Sequence, residues 1–579
     1  MLIKMASQLV FEVNAKDLAA RIGKLEINGK TIETPTLMPV VNPRKEVLSP
    51  RELHDEFDIQ LLMTNAYILL RNDELKNKAL DKGIHKLLDF DGIIATDSGS
   101  YQLMQYGNVL TSNEQIIEFQ NSIGSDIGSF LDIPSMPDAF KARAREQLNL
   151  TLARAKEAKE KASFIVNAGI QGSTHLDLRS EAARALGGDF SLCAVGGIVG
   201  IMEQYRFTEL VDIIAAVKKN IPVDRVVHAF GLGHPMVFSL AVALGCDLFD
   251  SAAYVLYAKE GRYLTSTGTL HLDNLHYLPC SCPVCSEYGM DLKQLDEPDK
   301  TRALARHNLY VSFMELARVK QAIYEGSLMN MLSRRLRSHP QLFSGLGALM
   351  KHNKWLSELD RITRKAPFYY LGSEAHQRTE VLNVKQRLKR VKSERTIRMP
   401  PFGDVPLELT SMYPFVSYMA PTSVKIDEVY ARIRDIDRIR AMMDYQFVPG
   451  AGDLIPKKAR IKKSRKTGRM RWVYEGDELI ASLRASDNWI IPKTKLIKGL
   501  HELIPNPLLR VVIDDEAKPF VSEGKSVFCK FVLEIDDNLR CMDEVLVVDV
   551  NDELIRGGTL HLSPREVRDF SKGMAVRVR

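Results

Sequence analysis

Arg225-Val226-Val227-His228-Ala229-Phe230-Gly231-Leu232-Gly233-His234-Pro235 is a short apolar run that ends in glycines. A dinucleotide-binding loop would need a third glycine and an uninterrupted helix start. Here the third glycine is missing and Pro235 intervenes, so that fold is set aside. The same theme, a β-prone run closing on polar or glycine residues before a helical stretch, recurs at Leu61 to Ala66, Gly92 to Ser98, Ser125 to Pro134, Phe164 to Gln171, Phe190 to Ile198 and Asp247 to Ser251. Amphipathic segments such as Met136 to Ala162 and Phe207 to Lys219 lie between the runs. Strands alternating with helices imply a parallel sheet. Seven or more such units between about Phe11 and Met350 predict a closed (β/α)8 TIM barrel in an α/β chain.

Working outward, 579 residues are too many for one core. At roughly 150 residues per domain, about four domains are expected. A composition of 45% hydrophobic and 26% charged residues excludes wholesale disorder. A long helical pattern from Pro298 to Glu325 leads into a basic helical region reaching Arg398. Met399-Pro400-Pro401-Phe402-Gly403 breaks it, and short β-prone runs follow in small α+β modules. The clearest late strands are Val527 to Ile535, Glu544 to Asp549 and Met574 to Val578. Boundaries near 350, 430 and 506 divide the chain into 1–350, 351–430, 431–505 and 506–579. Lys+Arg 79 against Asp+Glu 73 leaves a net +6. That is too little to draw the whole molecule onto an anionic polymer, so any nucleic-acid surface must be local. The apolar stretch Met236 to Cys246 is too short for a bilayer, and Met1 to Val13 lacks a secretory core, so a cytoplasmic protein without membrane partners is expected.

In a (β/α)8 barrel, chemistry gathers where strands end. Those positions hold Asp97, Ser98 and Tyr101, then Asp132, Gln171, Gly196-Gly197, Phe230 and Asp250. Such a set suits a flat, hydrogen-bonding ring: Tyr101 and Phe230 can sandwich it while Asp132 and Gln171 meet its edge. Two further carboxylates could divide glycosidic chemistry between attack on an anomeric carbon and proton transfer. Taken singly, each residue has a plainer role, the Asp as a helix cap, the aromatics as core, the glycine pair as a turn.

Asp97-Ser98-Gly99-Ser100-Tyr101-Gln102, Asn167-Ala168-Gly169-Ile170-Gln171-Gly172, Ala194-Val195-Gly196-Gly197-Ile198, Phe230-Gly231-Leu232-Gly233 and Asp247-Leu248-Phe249-Asp250-Ser251 follow one another in order. With Cys280-Ser281-Cys282-Pro283-Val284-Cys285 and His307, they resemble the tRNA-guanine transglycosylase family over most of the first 350 residues. The resemblance implies a barrel that exchanges an encoded guanine in tRNA for a 7-deazaguanine without cutting the RNA. It implies Asp250 as nucleophile on ribose C1′, Asp97 as general acid/base, and Asp132, Gln171, Gly196 and Gly197 as readers of the base, with Ser98 also at the substrate. Tyr101 and Phe230 would stack on its faces. A homodimer is implied in the same way.

Cys280-x-Cys282-x-x-Cys285 brings three thiolates together, which in a cytoplasmic chain points to zinc. His307 matches the family's fourth ligand, with His276 as the local competitor; four protein ligands imply one structural ion per chain. The wobble-type branch carries an acid shortly after the Gly-Gly-Leu segment, where this chain has Met202 with Glu203 one step off. That branch also follows its nucleophile with a Pro-Thr-Arg turn, replaced here by Ser251-Ala252-Ala253-Tyr254. Both departures resemble the archaeal-type branch, which acts on guanine 15 in the D-loop with 7-cyano-7-deazaguanine as donor. A wobble-position enzyme and a non-catalytic tRNA-binding subunit are the rival expectations; the presence of both Asp97 and Asp250 speaks against the latter.

The last third holds Lys457, Lys458, Arg460, Lys462, Lys463, Arg465, Lys466, Arg469 and Arg471 before Trp472, with no acidic residue among them. Such a stretch beside an aromatic is suited to gripping phosphate or an unstacked base of tRNA. Val512-Ile513-Asp514-Asp515-Glu516-Ala517, Lys525-Ser526-Val527-Phe528 and Asp543-Glu544-Val545-Leu546-Val547-Val548 resemble a PUA domain, a small RNA-binding β-barrel, with Gly557-Gly558-Thr559-Leu560 as a departure.

Overall fold

The structure is a computed structural model that describes residues 8–100, 111–421 and 433–579. It separates into two compact units, one built mainly from Ala20–Ile323 with Met331–Leu349, the other from Met350–Arg579 with the short segments Lys16–Ala19 and Tyr324–Asn330.

Eight parallel strands form the centre of the first unit: β1 (Thr36–Pro39), β2 (Leu61–Asn65), β3 (Ile93–Asp97), β4 (Ile127–Gly128), β5 (Ile165–Ile170), β6 (Leu192–Val195), β7 (Val226–Ala229) and β8 (Leu248–Ser251). From β2 to β8 each strand pairs with its sequence neighbour, β8 returns to β1, and a parallel bridge between Val40 and Met63 joins β1 to β2, closing the barrel. Helices α1 (Lys141–Lys161), α2 (Leu176–Asp189), α3 (Phe207–Asn220) and α4 (Pro235–Ala243) return the chain between strands. Burial on both faces explains why the strands read as continuous apolar runs rather than alternating ones.

Pro235, which argued against a dinucleotide loop, is the first residue of α4, where a missing N–H costs nothing; the His234 side chain accepts from Met236 N–H and caps the same end. Just before β8, Asp247 receives Arg21 through both oxygens, at 2.8 and 2.7 Å, and accepts Val227 N–H. The pair is buried, and these bonds satisfy the carboxylate that burial would otherwise penalise.

Three sequence expectations shift. The barrel's first strand, β1, escaped the reading, because a four-residue strand that follows Pro35 and ends on Pro39 offers no periodicity. Of Ser125 to Pro134 only Ile127–Gly128 pairs; beyond it the backbone N–H groups of Ser129, Leu131 and Ile133 donate to the side chains of Gln120, Asn113 and Thr151 rather than to a neighbouring strand. The helix α1 begins at Lys141 rather than Met136, because Asp138 has φ +62°, outside the right-handed helical region.

In the second unit, Arg460–Lys463, Met470–Glu475, Glu478–Leu483 and Ile490–Pro492 form an antiparallel sheet. Six strands, Arg510–Ile513, Val527–Phe528, Val532–Ile535, Glu544–Val548, Leu554–Leu560 and Met574–Val578, make the terminal sheet, antiparallel except where the first runs beside Glu544–Val548. The departure at Gly557-Gly558 has a packing cause: a Cβ on Gly557 would lie 2.5 Å from Ile497, and one on Gly558 2.5 Å from Val576. Arg364 sits buried among Asp17, Asp360 and Glu380, with contacts of 3.0, 2.6 and 3.5 Å.

Candidate active site and metal centre

The C-terminal ends of the barrel strands bring together most of the residues singled out in the sequence. Asp97 is the last residue of β3 and stands in register with Asn65, the last of β2. Asn65 Nδ2 donates to Asp97 Oδ2 at 2.8 Å, and Gly99 N–H reaches Oδ1 at 3.4 Å. Burial first, then the negative charge of Asp132, push the Asp97 carboxyl up to about 7; the Gly99 bond opposes this and Asp250 adds to it. Asp97 therefore senses both other carboxylates, as a shared mouth requires.

Asp132 follows β4 and is buried, as is Gln171, which follows β5. Gln171 Nε2 donates to Asp132 Oδ2 at 2.5 Å, while Gln171 Oε1 is buried without a protein partner. Burial raises the Asp132 carboxyl, with hydrogen bonds from Ser100 and Gln171 pulling against it. Small residues permit this crowding: a Cβ on Gly169 would lie 2.4 Å from Asp132 Oδ2, and one on Gly196 2.3 Å from Gln171 Nε2. Gly197 next to it has φ +66°, a left-handed turn that suits glycine. The result is a buried carboxylate and carboxamide edge with one acceptor left over, which is what the N–H groups of a purine-like ring could satisfy.

Ser98 is fully buried, its hydroxyl 3.0 Å from that of Ser100. Phe230 is half-buried, its ring 4.9 Å from the His228 ring. Tyr101 lies outside the described residues.

Three further residues belong to this mouth and were not singled out. His228, on β7, brings Nε2 within 2.8 Å of Asp250 Oδ1, and Asn167, on β5, brings Nδ2 within 3.0 Å of His228 Nδ1. Arg179, on α2, is wholly buried and donates to the carbonyls of Ser173, Ile170 and Gly196 at 2.8, 2.6 and 2.8 Å, tying together the turns that follow β5 and β6. Burial lowers the Arg179 guanidinium to about 10. Polar side chains within otherwise apolar runs are the signal that could have found His228 and Asn167.

Cys280, Cys282, Cys285 and His307 place four ligand atoms within 4.8 Å of one another, a group that could hold a metal ion. His307 Nδ1 lies 3.5 Å from Cys282 Sγ and 3.3 Å from Cys285 Sγ. A tetrahedral zinc with arms of about 2.3 Å to sulfur and about 2.0 Å to nitrogen has a sulfur-to-nitrogen edge of roughly 3.5 Å, so the spacing fits. His307 Nε2 is 3.0 Å from the Leu264 carbonyl oxygen, which assigns the proton to Nε2 and leaves Nδ1 free to ligate. Tyr263 stacks on the His307 ring at 3.7 Å and its hydroxyl lies 3.1 Å from Cys285 Sγ. His276, the competing ligand, is exposed and outside this group.

In the second unit the basic stretch forms a hairpin of Arg460–Lys463 and Met470–Glu475. Its cations are not equivalent. Arg471 donates to the Leu483 carbonyl at 3.0 Å and Arg469 to that of Ala485 at 3.3 Å; Lys463 pairs with Asp435 at 2.7 Å and Arg460 with Asp477 at 3.9 Å. Lys462 lies 5.7 Å from the Trp472 ring. Lys457, Lys458, Arg465 and Lys466 are exposed, with no ion pair among the described residues.

A family model described as Queuine tRNA-ribosyltransferase matches residues 16–341. Patch-forming domain C2 of tRNA-guanine transglycosylase matches 437–507, and the PUA domain matches 509–579. Curated relatives extend over the whole chain. The tRNA-guanine(15) transglycosylase of Thermococcus onnurineus is 46% identical over 574 residues, 98% of each chain. That of Pyrococcus furiosus is 45% identical, covering 99% of this chain and 98% of its own, and that of Methanocaldococcus jannaschii 41% identical over 99% of each. Among the described residues, no helix is long and apolar enough to cross a membrane.

Proposed function

The chain belongs to the tRNA-guanine transglycosylase family, and from that premise we propose that it is a transferase replacing guanine 15 in the D-loop of tRNA with 7-cyano-7-deazaguanine. Relatives alike along their full length are named for position 15. Met202 and the Ala252-Ala253-Tyr254 turn support the same choice over the wobble position, since a mouth without an acid at that place suits a neutral nitrile.

The observation that carries the chemistry is the pairing of an Asp97 carboxyl near 7 with a second carboxylate, Asp250, in one barrel mouth. Asp250 attacks ribose C1′ as the bond to guanine breaks, giving a glycosyl-enzyme ester. Asp97, partly protonated at neutral pH, supplies a proton to the departing base and removes one from the incoming base. Asp132 and Gln171 read the base's edge, with Gln171 Oε1 accepting an N–H; Gly196 and Gly197 offer backbone groups, Ser98 also lies at the substrate, and Phe230 and Tyr101 stack on the ring. Guanine 15 must leave its stack to arrive there, a cost met by contacts to the rest of the tRNA.

Cys280, Cys282, Cys285 and His307 hold one structural zinc, whose contribution is to fix the segment after β8 rather than to take part in exchange. The modules 351–430 and 431–505, the latter with its basic hairpin, and the PUA domain of 506–579 grip the tRNA whose base the barrel unit of 1–350 exchanges. The enzyme works as a cytoplasmic homodimer.

A position-resolved exchange assay tests this reading, with labelled guanine or 7-cyano-7-deazaguanine and transcripts lacking guanine at 15 or at 34. Incorporation should vanish only when position 15 is changed. Undiminished incorporation after that change would overturn the assignment.

A further inference from the structure

We propose that Asn167 and His228 are positioning residues that commit Oδ1 of Asp250 to the protein and leave Oδ2 as the attacking oxygen; this rests on Asp250 being the nucleophile.

His228 Nε2 lies 2.8 Å from Asp250 Oδ1. An ionised carboxylate can only accept, so the imidazole nitrogen must carry the proton between them. Gly231 N–H donates to the same oxygen at 2.6 Å. Two donors thus converge on Oδ1, and among the described residues none reaches Oδ2. On the other side of the imidazole, Asn167 Nδ2 donates to Nδ1 at 3.0 Å, which holds the ring as the neutral Nε2–H tautomer. Turning the amide would set its oxygen against Nδ1 and require a doubly protonated ring. His228 is wholly inaccessible and Asn167 nearly so, so the ring is held between its two neighbours without access to solvent.

A merely structural buried histidine would be expected to bond backbone or an inert partner. Here both ring nitrogens are used, and one of them ends on a reacting group. The Phe230 ring lies 4.9 Å from the His228 ring, so the residue that holds the nucleophile also packs beside the aromatic proposed to stack on the base. A hydrogen bond to Oδ1 does not make Oδ2 more basic; its benefit is orientation, since a carboxylate free to rotate would present Oδ2 to C1′ only part of the time. In the step itself, a lone pair of Oδ2 forms the bond to C1′ as the C1′–N9 bond breaks. The electron pair of that broken bond leaves with guanine, which takes the proton of Asp97. The ester's remaining oxygen is Oδ1, still held by His228 and Gly231. In the second half the C1′–Oδ2 pair returns to Oδ2 as the incoming base, deprotonated by Asp97, bonds to C1′.

The test uses the full chain with His228→Phe, His228→Gln and Asn167→Ala, measuring kcat and KM for tRNA in guanine exchange and the single-turnover rate of covalent adduct formation. A glutamine amide can place a donor where Nε2 stands. His228→Phe should lower kcat and the adduct rate about 10- to 100-fold, the loss of one charge-assisted hydrogen bond, with KM within about twofold. His228→Gln should return most of that loss, and Asn167→Ala should fall between. An unchanged adduct rate in His228→Phe, or His228→Gln as slow as His228→Phe, overturns the proposal. Should His228→Phe fail to fold, Asn167→Ala decides: loss confined to kcat supports the proposal, and unchanged kcat or equal losses in kcat and affinity refute it. Asp250→Asn is the separate control, because adduct formation there would sink the nucleophile assignment itself.

Discussion

Asp97 combines an activity requirement with a stability cost. Its folded carboxyl sits near 7 against an ordinary 3.8, so the folded chain binds this proton more tightly than the unfolded chain does. The stability it contributes is therefore fully present below its ordinary value and lost as pH rises from there through the folded one. Asp97→Asn should stop exchange and, relative to the parent, gain on the order of 1–2 kcal/mol at about pH 8 with little difference near pH 4; the partial exposure of Asp97 keeps that figure below the full shift. Urea unfolding of both chains at the two pH values checks it, and an equal difference at both would refute the cause assigned. The strand-end carboxylates were legible in the sequence because a barrel sends strand ends to one mouth. Asn167 and His228 were not, since their partners stand on other strands and a lone polar residue in an apolar run carries no record of what it faces; nor was Arg179, because an arginine on an amphipathic helix reads as solvent-facing although its partners lie only 6 to 17 residues away.

The group that could hold a metal ion joins two elements, the turn and short helix after Cys280 and the long helix Asp299–Glu325 that carries His307. The cysteine spacing was plain in the sequence, and the fourth ligand was ranked by resemblance. What spacing could not show is the clamp around His307, with Leu264 accepting from Nε2 and Tyr263 lying on the ring. That packing predicts a structural outcome for metal loss. Cys282→Ser, or exhaustive chelation, should lower zinc content and the thermal midpoint together, by several degrees or more, with exchange lost only as the segment unfolds. Metal analysis beside calorimetry checks it; full stability and activity in metal-free protein would contradict it. Elements were least legible where they were shortest. The four residues of β1 and the two of β4 are strands only because their neighbours in the barrel make them so, whereas α3 and Asp299–Glu325 announce themselves by period.

Across the whole molecule, a net +6 averages an acidic barrel mouth and a basic hairpin. The second unit also buries charge for its own cohesion. Arg364 is wholly enclosed with Asp17, Asp360 and Glu380. Arg364→Met should cost about 3–5 kcal/mol in urea unfolding by leaving carboxylates without their counter-ion, and a cost under about 1 kcal/mol would contradict that view. The hairpin differs in kind, because its most available charges are unpaired among the described residues. Sequence treated nine cations as one patch. The structure ranks them: Arg471 and Arg469 bond backbone carbonyls, Lys463 and Arg460 face acids, and Arg465 and Lys466 stand exposed at the turn between the strands. If the hairpin tracks the phosphate backbone, replacing Arg465 and Lys466 together by Ala should weaken tRNA binding and lower the slope of log affinity against log salt by about 1–2. Turnover at saturating tRNA should stay near the parent value, because neither residue lies in the barrel. Arg471→Ala should instead reduce stability more than it changes the salt slope, since it loses its bond to the Leu483 carbonyl. Filter binding over a range of salt, paired with exchange rates at saturation, separates the two. An unchanged slope in the Arg465/Lys466 variant would mean that this turn faces solvent and that phosphate contacts lie elsewhere in the second unit.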